Sequence, residues 1–178
     1  MPTMYIPIIL FVMLLAYIAT RRIVFKKSHW QHFFAHEQFS AGEFYAKIRQ
    51  QVEDRKLTKI TVGRSSFLES NILSAQRDYL TLNAGDYIVY VFAGAFSTGT
   101  FVSWWLCIYE ERFFNKIPLV SKWLGLDRKN KTFYQLDTEN MYTHAIHSTI
   151  MDVIDAMCSA KEYRSLSEAQ REFKDNDE

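Results

Sequence analysis

Histidine and cysteine are the residues here whose chemistry would be easiest to recognise. His29, His32 and His36 fall at i, i+3 and i+7, and His144 and His147 lie three apart further along. On a helix either spacing gathers imidazoles on one side, where they could share a zinc ion. The first set has no thiol or carboxylate at a matching position. The second has Asp137, Glu139 and Asp152 nearby, but no third ligand on the same helical face. Solvated or interfacial histidines are the reading favoured for both, and no metal is assigned. Cys107 and Cys158 each sit inside an apolar pattern, which reads as two buried thiols in a reducing compartment. A nucleophilic cysteine needs a histidine beside it, and His147 stands about 16 Å along the helix axis from Cys158. Gly94 and Gly99 flank a turn with no helix after it, unlike a phosphate-binding loop. No catalytic residue or cofactor follows, and the expectation is that the chain is not an enzyme. With 21 basic against 20 acidic side chains, net charge +1, the concentrated positive surface of a nucleic-acid binder is absent from the composition.

Aromatic residues carry the remaining candidates. Trp104 and Trp105 are consecutive, so on a strand their rings point to opposite faces, one to a core and one outward. Together with Phe96, Phe101 and Trp123 they are the residues expected to contact a partner or ligand.

The elements that would position these residues begin with an anchor. Residues 4–20 read MYIPIILFVMLLAYIAT without a charge, and Arg21, Arg22, Lys26 and Lys27 follow. Continued to Phe25, the run is long enough for one transmembrane helix. A cleaved signal peptide would carry its charges before the apolar run and small residues after it. The positive-inside rule puts the N-terminus outside and the domain in the cytoplasm, as at a bacterial inner membrane. Residues 26–39 read as a juxtamembrane interfacial segment, with Trp30, Phe33 and Phe34 at headgroup depth beside Lys26 and Lys27. A helix running on from the membrane and packing on the domain is the alternative for this stretch.

The domain proper is expected over 40–165. Ser40 and Glu43 form a capping box opening an amphipathic helix to about Lys56, with Phe44, Tyr45, Ile48 and Val52 on its apolar face. A strand around Ile60 and Val62 and another over Arg77–Leu82 follow. Tyr87 to Tyr109 has no charge and could formally cross a membrane. Its β-branched and aromatic residues, broken at the centre by Ser97, Thr98 and Gly99, fit a hairpin of two strands, Tyr87–Phe96 and Phe101–Tyr109, with Gly99 at positive φ. A second transmembrane helix is the alternative. Phe113–Leu126 reads as an apolar excursion or short helix near the membrane, and Thr132–Leu136 as a fifth short strand. Asp137 or Thr138 would cap a long helix burying Ile146, Ile150 and Val153, with His144, His147 and Asp155 turned away. Ser165 and Glu168 would open a short final helix in 166–178, which ends in a frayed charged tail.

Three blocks, Arg77-Asp78-Tyr79-Leu80, Ala95 to Trp105 and Phe133 to Thr138, resemble an uncharacterised bacterial membrane-anchored family. Its pattern runs Arg-Glu-Tyr-Leu, Phe-Gly-Thr-Gly-Phe-Phe-Ser-Trp-Trp and Tyr-Gln-x-Asp-Thr. Asp78, Ser97 and Thr100 depart from it. The resemblance spans about 40–165 and implies a common folding unit, with no activity attached.

The expected architecture is α+β: an N-terminal transmembrane helix, then an antiparallel meander of four to five strands packed by two main helices. The expected function is that of a single-pass accessory or structural protein. Its cytoplasmic domain would dock on a partner subunit or the membrane surface. A lipid or small apolar ligand held between sheet and long helix is the alternative.

Overall fold

A computed structural model describes residues 23–57, 59–68, 76–110 and 132–175. They form an α+β unit: six strands in one antiparallel sheet, two main helices and a single-turn third helix. Strand β1 is Ile23–Phe34, helix α1 Ala41–Asp54, β2 Thr61–Leu68, β3 Gln76–Ala84, β4 Tyr87–Phe96 and β5 Gly99–Glu110. Helix α2 is Phe133–Ala160, α3 Glu168–Arg171 and β6 Lys174–Asp175. Spatial order is β2-β3-β4-β5-β1-β6, so the four-strand meander is extended past β5 by the first and last of the described strands.

Strand β1 corrects the reading of residues 23–39. Its alternation of Trp30, His32 and Phe34 with His29, Gln31 and Phe33 has the period of a strand, and it pairs with β5 from Ile23↔Glu110 to Phe34↔Thr100. Trp30 and Phe34 lie in the core rather than at headgroup depth, because every second residue of β1 faces the helices. Lys27 is the extra residue at an irregularity between Lys26 and Ser28, and Phe33 is exposed. Residues 23–25 therefore belong to the sheet and not to an anchor. Arg21, Arg22 and the apolar run before them lie outside the described residues, as do Phe113–Leu126 and Trp123. Among the described residues no helix is long and apolar enough to cross a membrane.

Tyr87 to Glu110 is the expected hairpin, paired from Tyr87↔Ile108 to Phe96↔Gly99. Positive φ falls on Ser97, at 54°, and not on Gly99. In a two-residue hairpin turn the strand twist requires positive φ at the first central residue, which is Ser97. Gly99 is needed for a different reason: a Cβ there would lie 2.2 Å from the Phe34 carbonyl oxygen of the adjoining strand. At the β3–β4 turn, Gly85 does take positive φ, 62°.

Helix α1 starts where its cap predicts, with the Ser40 hydroxyl accepting from Glu43 N. Helix α2 starts earlier than Asp137. Thr132 and Gln135 form a reciprocal capping box, so 133–136 is the first helical turn and not a fifth strand. Thr143 and Thr149 stay buried because their hydroxyls donate to the carbonyls of Glu139 and Ala145, four residues back. At the C-terminus, the Gln170 side-chain oxygen accepts from Ser167 N, so the final cap is two residues later than Ser165. The tail to Asp175 is folded in: Leu166 is buried, Phe173 packs on the core and β6 pairs with β1.

Both main helices cover one face of the sheet, called the inner face here. Leu80, Leu82, Val89, Val91, Val102, Trp104 and Leu106 meet Phe44, Ile48, Ile146, Ile150, Val153 and Ile154 in a single core.

Candidate functional site

Inner and outer faces follow from strand parity. In β4, Val89, Val91 and Ala93 point inward, so Ile88, Tyr90, Phe92 and Phe96 point outward. In β5 the inward set is Val102, Trp104 and Leu106, and the outward set is Phe101, Ser103, Trp105 and Cys107. Register extends the outward rows across the sheet. Thr81, Tyr90, Trp105, His29 and Lys174 form one row, and Tyr79, Phe92, Ser103 and Gln31 form the next. Arg77 and Phe67 are partners on β3 and β2 at the end of the sheet nearest the β4–β5 turn.

The outer face carries three groups of rings, and between them Thr81, Ile88, Ser103 and Cys107 are buried. Phe67 lies 5.3 Å from Tyr90 and 5.4 Å from Tyr79, centroid to centroid, and Tyr79 lies 5.3 Å from Phe92. Phe92 continues to Phe101 at 6.5 Å, and Phe33 packs on Phe96 at 6.1 Å. Near the other end, His29 stacks on Trp105 at 4.6 Å and 11°, with the Lys26 ammonium 4.9 Å from the Trp105 ring. The Arg77 guanidinium sits 5.6 Å from the Phe92 ring. These are cation–π distances. Phe33, Phe67 and Phe96 are 40%, 46% and 69% exposed, while Tyr79, Tyr90, Phe92, Phe101 and Trp105 are half-buried.

Comparison with protein-family models, with curated proteins and with solved structures finds no match for this chain.

The expected contact residues are thereby divided. Phe96, Phe101 and Trp105 share the outer face. Trp104, 1% exposed, belongs to the core, where its indole N–H donates to His147 Nδ1 at 3.2 Å. Phe67, Tyr79, Tyr90 and Phe92 were not singled out from sequence. The signal was present in Tyr90 and Phe92, which alternate with Val89 and Val91 and so make β4 apolar on both faces.

The histidines are dispersed by the fold. His29 points outward and His32 inward, as a three-residue step on a strand requires, and His36 lies beyond β1 with φ 63°. His147 is half-buried against Trp104, Trp30 and Phe173, contrary to its expected polar-face position. Burial lowers its pKa from the usual 6.5, so it is the neutral imidazole that accepts from Trp104. Burial pushes the thiols of Cys107 and Cys158 up to about 11 in each case. A thiol held protonated at neutral pH is a weak nucleophile. Among the described residues, no group of three or more His, Cys, Asp or Glu is placed to hold a metal ion. A polar recess of about 320 Å³ opens between β1, the first turns of α2 and β6, with Ser28, Glu139, His144, Phe173 and Asp175 on its walls. Ser28 donates to Asp175 there, tying the last strand to the first.

Between sheet and α2, Trp104, Leu106, Ile146, Ile150 and Ile154 are all at 1% exposure or less, so large side chains occupy the place proposed for an apolar ligand.

Proposed function

We propose that this protein is a membrane-anchored accessory protein that works by docking, its apolar N-terminal run holding the domain at the membrane and the outer sheet face making the contact. The observation carrying this reading is the outer aromatic surface, exposed most at Phe33, Phe67 and Phe96. A cluster of partly exposed rings on a sheet face marks an interaction surface, and the first turns of α2 expose a second apolar group, Phe133, Tyr134 and Met141. The occupied space between sheet and α2 favours that face over a ligand site in the interior. The uncharged run of residues 4–20, with Arg21, Arg22, Lys26 and Lys27 after it, supports a single crossing with the domain on the cytoplasmic side.

Fractionation tests the anchor. The full chain is expected to stay in the membrane pellet after an alkaline carbonate wash, and a chain beginning at Ile23 to be released. A start at Ser40 is no test, because it deletes β1 and breaks the sheet. A phosphatase fused after Asp175 is expected to be inactive on the outer side. Full chain in the soluble fraction, or an active external fusion, would overturn the reading.

A further inference from the structure

We propose that the outer face of the sheet lies flat on the headgroup layer of an anionic bilayer, with its strands running along the membrane plane. This rests on the anchor reading above and adds which surface the domain meets and in what orientation.

Charge gives the first argument. Among the described strand residues on the outer face, Lys26 and Lys174 are basic, Arg77 lies against the Phe92 ring, and none is acidic. Asp78 and Asp175 fall on the inner side by parity, where the Tyr45 hydroxyl reaches the Asp78 carbonyl and Ser28 reaches the Asp175 carboxylate. Rings with cations and no carboxylate among the described strand residues of this face match lipid phosphates. Aromatic side chains settle at headgroup depth, and each lysine or arginine near an anionic leaflet adds attraction. A second copy of the same face is disfavoured, because it would set cations against cations.

Connectivity gives the second. β1 is described from Ile23, which follows the apolar run and its two arginines in the sequence, so an anchor would deliver the chain to the bilayer close to this end of the strand. From Ile23 to Phe34 the strand spans roughly 36 Å. Were it to stand upright, Phe33 and Phe96 would be carried that far from the lipid. Lying flat brings Lys26 and Trp105 at one end, and Phe33, Phe96 and Phe67 at the other, to one plane. The covering helices then face away from the membrane.

The test uses the full chain reconstituted in vesicles of phosphatidylcholine and phosphatidylglycerol. An environment-sensitive fluorophore is attached in separate preparations to Phe67→Cys, to Phe96→Cys and, as a control on an exposed helix position, to Glu53→Cys; the native thiols are buried. Lipids with a quencher near the headgroup should quench the labels at 67 and 96 several-fold more than the label at 53. Lys26→Glu combined with Lys174→Glu should reduce that difference several-fold, as should vesicles without phosphatidylglycerol. Equal quenching at all three sites overturns the proposal. So does a label at 67 or 96 that neither the lipid quencher nor aqueous iodide reaches, since a second copy, another protein or another part of this chain would then cover the face. A chain that fails to sediment with the vesicles overturns the anchor reading itself, an outcome distinct from the other two.

Discussion

Trp104 and Trp105 are neighbours in sequence and belong to opposite regions of the molecule. Trp104 is closed in by α2 and the C-terminal segment, with its N–H bonded to His147 and its ring 5.6 Å from Phe173. Trp105 is half-buried under His29 and Lys26, on a face with no described helix over it. The same contrast runs through β3, β4 and β1: Leu80 against Tyr79, Val91 against Phe92, Phe34 against Phe33. In each of these pairs the inner residue is aliphatic or an enclosed ring, and the outer residue is a ring with one side open. Apolar character alone therefore does not tell core from contact surface in this domain. What distinguishes them is whether a helix lies above.

Truncation should separate the faces most sharply. Trp104→Ala is expected to destabilise by about 3–5 kcal/mol, from lost burial and the orphaned Nδ1 of His147, whereas Trp105→Ala should cost on the order of 1 kcal/mol. Equal costs, measured by denaturant unfolding in mild detergent, would erase the distinction. Ile150→Ala, on the helix side of the inner face, should cost about 2–5 kcal/mol. Ser159→Ala, at an exposed position near the end of the same helix, should stay within about 0.5 kcal/mol.

Gly99→Val probes the junction of β5 with β1 and should cost about 1–3 kcal/mol or more, because the added carbons meet the Phe34 carbonyl. Ser97→Gly, which relieves positive φ in the turn, should be neutral or stabilising by up to about 1 kcal/mol. A stable Gly99→Val protein would mean that β1 is not held against β5 there. On the outer face, Phe67→Ser should cost on the order of 1 kcal/mol, from its ring contacts with Tyr79 and Tyr90, while weakening membrane contact.

The smallest expected effect is with pH. Burial lowers the pKa of His147 and of His32 from 6.5 in the folded state. Below pH 6.5 the unfolded chain takes up these protons before the folded one. Stability should thus be unaffected by these groups above that value and decline as pH falls through the window beneath it. His147→Gln should flatten part of this decline and leave the share due to His32. A stability profile that rises as pH falls below 6.5 would contradict the inner placement of both imidazoles.

Local pattern carried much of the fold. Phe44, Tyr45, Ile48 and Val52 marked one face of α1, and Ile146, Ile150 and Val153 marked that of α2, because helical periodicity survives in any context. The hairpin from Tyr87 was legible from its β-branched and aromatic residues around a polar turn. β1 was not. Its basic and aromatic residues follow an apolar run, and that combination also suits a membrane interface. Only pairing with β5, about seventy residues away, makes it a strand. His147 was misplaced for a related reason: one helix side that looks polar on its own is covered by Trp104 of β5, Trp30 of β1 and Phe173 between α3 and β6.

Charge balance, the N-terminal apolar run, the Ser40 cap and the period of each long element are properties of neighbouring residues, and the sequence alone determined them. Tertiary structure decided which of two ring-bearing faces of the sheet became the core. Strand parity assigns residues to two sides without ranking them, and the ranking came from where α1 and α2 pack. With the helices on the side of Trp104, the rings around Trp105 and Phe96 became the surface on which the proposed docking function rests.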